Sequence, residues 1–185
     1  MVPVMSLLLP ILLSAVAVFV VSSIIHMLLP YHRNDFGRLG TEAQVQDALR
    51  PFDIPPGEYI VPAPPESHDF KDPQYVERLK RGPVVFLNVM PSGPFNMVPQ
   101  LTQWFVYTLV VSVFAAYIAG RAVGPGEDYL QVFRFTGATA FAGYGLALWQ
   151  QTIWYRRNWA VTLKSNLDAI IYALVTAGIF GSLWP

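Results

Sequence analysis

Cysteine is missing from all 185 residues. Its absence excludes disulfides, thiolate metal sites and a cysteine nucleophile, and leaves the redox compartment open. Charge is scarce as well: 13% of residues are charged against 54% hydrophobic, about half the charged share of an ordinary soluble domain. Twelve Lys+Arg balance twelve Asp+Glu, so no global positive field exists to draw nucleic acid, which is excluded as a partner. No Walker loop, GxGxxG, HExxH or GxSxG string occurs, which removes the common nucleotide, zinc-protease and serine-hydrolase signatures. Paired carboxylates within an apolar run, the usual mark of proton-driven transport, are missing too. The two halves do not repeat, which argues against a transporter built from inverted repeats.

What is present is long apolar sequence. By length the chain is one domain. From Val2 to Leu29 there is no charged side chain, and about 20 apolar residues are enough to cross a bilayer core. Pro10 is expected to remove one helix hydrogen bond and to kink the first turns. The start of the chain lacks the basic region of a secretory signal, so this run is expected to stay as an anchor. A second run covers Leu101–Gly120, and Gly124-Pro125-Gly126 then forces a turn. A third covers about Tyr129–Tyr155, rich in Gly, Thr and Gln, and a fourth covers Leu167–Trp184. Trp and Tyr near the run ends fit interfacial belts. The fold class expected is an all-α membrane protein with about four transmembrane helices and a Pro-rich, partly structured polar loop between the first two. The organisation reads as 1–29 for the first span, 30–100 for a polar cap and 101–185 for a three-helix membrane region.

Basic residues set the orientation. Arg33, Arg38, Arg78, Lys80 and Arg81 flank the 30–100 loop, and Arg156, Arg157 and Lys164 lie between spans three and four. The opposite side has only Arg121, beside Glu127 and Asp128. The positive-inside rule therefore places 30–100 and 156–164 in the cytoplasm and both termini outside. Arg78, Lys80 and Arg81 could also meet anionic headgroups.

The loop itself has structure written into it. Nine of the twelve acids fall within it, and eleven of the sixteen prolines fall between Pro51 and Pro99. Thr41-Glu42-Ala43-Gln44 reads as a capping box for a short helix that Pro51 stops. Asp72-Pro73 opens a second helix to about Arg81, with Gly82 as its C-terminal cap and Glu77 paired to Arg81. Gly57–Val61 and Val84–Val89 read as strands. Phe52, Tyr59, Phe70 and Phe86 are expected to tie the segment down as a compact cap on the membrane face.

Few residues are candidates for chemistry, and no catalytic residue is named. His26, as a cofactor-binding candidate, and His32 and His68, as metal candidates with Asp35 nearby, form the one set able to hold haem, a pigment or a metal. Their spacing matches no metal motif, and interfacial hydrogen bonding is the plainer role for His26. No cofactor is therefore expected. Arg134 is the one charge inside an expected span. Snorkelling to headgroups, or pairing with Glu127 and Asp128, is its plainer role, and a partner subunit's carboxylate is the alternative. Asp168 is expected to pair with Lys164 or Arg157. Small residues recur four apart at Ala116/Gly120, Thr136/Ala140, Thr139/Gly143 and Ala173/Ala177/Gly181. Such faces let helices approach closely in lipid, within this bundle or against another subunit.

Several strings carry a resemblance: His26 through Phe36, Ile54 through Tyr59, Lys80 through Pro83, Leu101 through Phe105 and Trp149 through Tyr155. On these, the whole chain resembles a family of short bacterial inner-membrane proteins without an established activity. The resemblance implies a bacterial inner-membrane location and supplies no site residues. The functional expectation is a non-catalytic accessory or scaffold subunit of a larger membrane complex, for example a respiratory or photosynthetic one, with the lipid bilayer and other membrane subunits as partners. The alternative is a small membrane enzyme or cofactor carrier using the His26/His32/His68 region. A small-solute transporter ranks third, because spans one, two and four offer little to line a water-filled path.

Overall fold

The computed structural model describes residues 1–66 and 69–185, so His68 lies outside the described residues. The chain divides into two compact units, Met1–Phe36 with Asn96–Pro185, and Gly37–Phe95.

The first unit is a helical bundle. A 3-10 turn, Val4–Leu7, leads into α1 (Leu8–Leu28), which the absence of any charged or helix-breaking side chain past Pro10 allows to run unbroken. Pro10 stands in the first turn of α1, where backbone N–H groups lack intrahelical partners anyway, so the expected lost bond costs nothing there. After the second unit come α4 (Val98–Ala122), α5 (Tyr129–Phe141), a π turn over Ala142–Leu146, α6 (Leu148–Tyr155) and α7 (Trp159–Ser182). The helix starts are written in side chains: Asp128 accepts from the Leu130 N–H, and Asn158 from the Ala160 N–H. The α6–α7 break falls at Arg156, which adopts a left-handed backbone (φ 57°) as the C-terminal cap of α6.

Three helices are long and apolar enough to cross a membrane: Val4–Leu28, Val98–Ala122 and Trp159–Ser182. The expected third span is instead two helices of 13 and 8 residues joined by the π turn. Even so, it runs from one end of the bundle to the other alongside α7. At its start, a Cβ on Gly181 would meet the Tyr129 ring at 2.6 Å, and near its end the Thr152 and Thr162 hydroxyls share a hydrogen bond of 2.5 Å.

The bundle is arranged as lipid requires. Leu8, Leu9, Leu12, Leu13 and Val20 of α1 are exposed, while Ser14, Ser22, Thr108, Ser112, Thr136, Thr162 and Thr176 are buried. Small and hydroxyl-bearing residues inside with leucine outside reverse the soluble pattern and match helices packing in lipid. Four of these hydroxyls bond within their own helices, as with Thr136 to the Val132 carbonyl at 2.8 Å and Thr176 to that of Tyr172 at 2.9 Å, while Ser14 and Ser112 have no hydrogen-bond partner among the described residues. At one end Val2 donates to the Gly120 carbonyl (2.8 Å), and the Trp184 indole donates to that of Gly124 (2.8 Å). Toward the other end the Trp104 indole donates to Ser22 Oγ (2.8 Å).

The second unit holds α2 (Glu42–Leu49), β1 (Gly57–Val61), α3 (Pro73–Arg81) and β2 (Val85–Val89). The strands pair antiparallel from Gly57↔Val89 to Val61↔Val85. Asp72 caps α3 by accepting from the N–H groups of Gln74 (2.7 Å) and Tyr75 (3.4 Å), and Gly82 closes it with φ 57°. The capping box at Thr41 does not form: its side chain makes no capping bond, so Thr41 marks the start of α2 without bracing it. Glu77 and Arg81 make no ion pair. Among the described residues of this unit only Pro62 and Tyr75 are buried. Phe52, Tyr59, Phe70 and Phe86, expected to tie the segment down on the membrane face, are all exposed, Phe52 by 71% and Phe70 by 62%.

Candidate functional site

The site begins with a proline. Pro30 disfavours helical backbone at the residue before it, and Leu29 accordingly turns extended (φ −82°, ψ 139°), ending α1. The chain then folds through a 3-10 turn, Pro30–His32, which swings Tyr31, His32 and Asp35 across to α7. There Lys164 and Asp168 stand one helical turn apart on a shared face.

His32 is held between two carboxylates. Its Nδ1 lies 2.5 Å from Asp35 Oδ2 and its Nε2 lies 2.8 Å from Asp168 Oδ2. Each ring nitrogen thus faces a carboxylate oxygen at hydrogen-bond distance, with donor and acceptor roles set by the tautomer. Tyr31 donates its hydroxyl to the other oxygen of Asp168. Lys164 donates to the Tyr31 carbonyl (2.6 Å) and to Asp35 Oδ1 (2.8 Å). The two carboxylates thus share the His32 ring between them, with Lys164 held against Asp35. The His32, Asp35 and Asp168 side chains are 10%, 11% and 4% exposed, dry enough that removing one member would strand another.

The environment shifts the groups outside the helices. Burial pushes the Tyr31 hydroxyl well above its ordinary range, and its bond to the Asp168 carboxylate pushes the same way. Burial alone would raise Asp35, but hydrogen bonds from Lys164 and His32 outweigh it and hold its carboxyl below the usual range.

His26 belongs to the same place. It comes from the last turn of α1, its Nε2 stands 4.0 Å from Asp168 Oδ2, and its ring lies 4.5 Å from that of His32, centroid to centroid. Donor atoms of His26, His32 and Asp168 all lie within 4.8 Å of one another. These are the residues here that could share a cation. One turn further along α7, Tyr172 packs edge-on against Tyr144 of the π turn, 5.5 Å between centroids, beside Trp104. Both tyrosine hydroxyls are buried and have no hydrogen-bond partner among the described residues.

Sequence reasoning therefore named His26, His32 and the nearby Asp35, and the fold brings all three together. It misassigned Asp168, whose partners are Tyr31 and His32, while Lys164 turns to Asp35. It passed over Tyr31 altogether. A carboxylate well inside an apolar helix was the available signal, because such a group faces the bundle interior and needs a partner there. Arg134 is exposed on α5 and pairs with neither Glu127 nor Asp128; the Asp128 carboxylate is occupied in capping α5. The small-residue faces close contacts within the bundle. A Cβ on Gly120 would stand 2.5 Å from the Val2 carbonyl oxygen, and one on Gly143 would stand 3.1 Å from the Val111 methyls. Ala177 lies against Gly137, Ala116 and Ala173 are buried, Gly181 lies under Tyr129, and Thr139 bonds the Phe135 carbonyl. Comparison with protein-family models, curated proteins and solved structures finds no match.

Proposed function

We propose that this protein is a non-catalytic accessory subunit of a larger membrane complex in a bacterial inner membrane, and that it engages its partner through the 37–95 segment. One observation carries the reading. That unit contains two short helices and a two-stranded antiparallel sheet, yet among its described residues it buries only Pro62 and Tyr75 while Phe52, Phe70 and Phe86 stand exposed. A two-stranded sheet with so little core is not stable by itself, and large exposed apolar side chains on such a unit are available to a partner surface. In this reading the chain crosses the membrane four times, residues 129–155 making the third passage. Their course from Gly181 to Thr162 along α7 supports that count. Arg156, Arg157 and Lys164 then share the cytoplasmic side with the 30–100 loop.

The test is purification from native membranes in mild detergent, comparing wild type with a triple variant, Phe52→Ser, Phe70→Ser and Phe86→Ser. A stoichiometric partner that the variant loses, while the variant remains monodisperse, supports the reading. A wild-type protein that purifies alone as a stable monomer overturns it.

A second reading rests on the His26/His32/Asp168 group: a cofactor carrier, with the ion network holding donor groups at the membrane face.

A further inference from the structure

The ion network described above is complete without His26. Two carboxylates, the His32 ring and Lys164 already satisfy one another, and Tyr31 takes the remaining oxygen of Asp168. His26 nevertheless sits beside the same carboxylate, 4.0 Å away, with no hydrogen bond of its own. A second imidazole that makes no hydrogen bond among the described residues, its ring 4.5 Å from the first, is the feature the network leaves unexplained.

We propose that His26 Nε2, His32 Nε2 and Asp168 Oδ2 form a binding site for one divalent transition-metal ion of the zinc type. Two imidazoles and one carboxylate are a donor set suited to such ions, and three protein ligands leave one coordination position open. The distances suit it as well. With metal–ligand bonds of about 2.0–2.2 Å, ligand atoms around a tetrahedral ion stand roughly 3.3 Å apart. Here the His32–Asp168 pair is at 2.8 Å, the His26–Asp168 pair at 4.0 Å, and no separation exceeds 4.8 Å. Entry of the ion therefore asks His32 and Asp168 to part slightly and His26 to swing inward. His26 can do so, because its side chain is 52% exposed.

The surroundings supply what a metal site needs beyond its ligands. Asp35 accepts from His32 Nδ1 (2.5 Å), which fixes the ring with Nε2 facing the ion. A carboxylate behind a ligating histidine in this way orients it and raises its basicity. Lys164 holds Asp35 in turn, and Tyr31 anchors the far oxygen of Asp168. On binding, the ion takes the position between His32 Nε2 and Asp168, and a proton held there is released to solvent.

This inference rests on the cofactor-carrying reading and is tested separately from it. Tag-free protein in detergent, stripped with chelator, is titrated with zinc by calorimetry and with cobalt by visible absorption. One ion per chain is expected, with the cobalt spectrum of a low-coordinate site. His26→Gln is the decisive variant, because that side chain supports nothing else in the bundle; it should weaken zinc binding at least tenfold. Asp35→Asn should cost a further 10–100-fold, the usual effect of removing such a supporting group. His68→Gln should change nothing. No zinc or cobalt binding by the stripped wild type, or binding abolished by His68→Gln and unaffected by His26→Gln, overturns the site. Haem or pigment in the protein as purified, with zinc binding absent, overturns the metal inference and spares the cofactor reading; a colourless protein that binds neither ion overturns both.

Discussion

The carboxylates of Asp35 and Asp168 stand on either side of one imidazole ring, and without a cation between them their repulsion would raise the pKa of one or drive them apart. Lys164 and His32 settle the contest for Asp35 in favour of the charged form, and that has a measurable consequence. A carboxyl held below its unfolded-state value, near 4, contributes stability that is fully present above that value. The contribution is lost as pH falls through the lower folded-state value. The melting temperature of chelator-treated protein should therefore fall from about pH 4 downward, and Asp35→Asn should flatten that part of the curve while lowering the plateau above it. Parallel curves for the two proteins would show that Asp35 adds nothing. Tyr31 has the opposite sign: its raised value makes its contribution complete below pH 10 and lost only above it.

At the scale of helices, close approach is set by glycines, and Gly120 is the strictest of them. The obstacle a Cβ would meet there is the Val2 carbonyl oxygen at 2.5 Å, which is backbone and cannot rotate away. Gly120→Ala should displace the first residues, break the Val2 to Gly120 hydrogen bond and destabilise the protein by about 1–3 kcal/mol. Gly40→Ala, at a position with nothing within 4 Å, should leave the melting temperature unchanged. Equal effects in the two variants would show that the contact does not matter. Why Gly120 matters could not be read from its i+4 spacing, since its neighbour comes from the start of the chain. The helices α1, α4 and α7 were legible because each carries a long apolar run, uninterrupted by charge in α1, ended by Arg121 in α4 and following Lys164 and Asp168 in α7. The two strands and the Asp72 cap were legible because each is a local pattern. The π turn was not: it forms where Gly143 meets Val111 and Gly145 meets Ala169, contacts visible only once the helices are packed. Asp168 was misread for a related reason. Lys164 stands four residues before it, the partner that helix spacing favours, yet the turn after Pro30 delivers Asp35 to Lys164 and His32 to Asp168. Half of the site comes from residues about 130 positions away in sequence, a separation no local rule spans.

For the molecule as a whole, the path of residues 129–155 decides the topology. If they cross the membrane, Gly126 and Arg157 lie on opposite sides. If the π turn instead marks a re-entrant segment, they lie on the same side. The absence of cysteine makes the question directly accessible, because a single introduced thiol is the only one in the chain. Gly126→Cys should react with a membrane-impermeant maleimide added to intact spheroplasts. Arg157→Cys and Ser92→Cys should react only after the membrane is opened, placing 37–95 and 156–158 in the cytoplasm with the basic residues. Reaction of Gly126→Cys and Arg157→Cys from the same side would reduce the passages to three. It would also run α7 in the same sense as α1, and that conflicts with a cluster in which the end of α1 and the first half of α7 share one network. The histidine–carboxylate cluster and the labelling pattern therefore stand or fall together, since a site built from Tyr31, His32 and Asp168 requires the α1 exit and the α7 entry on one face.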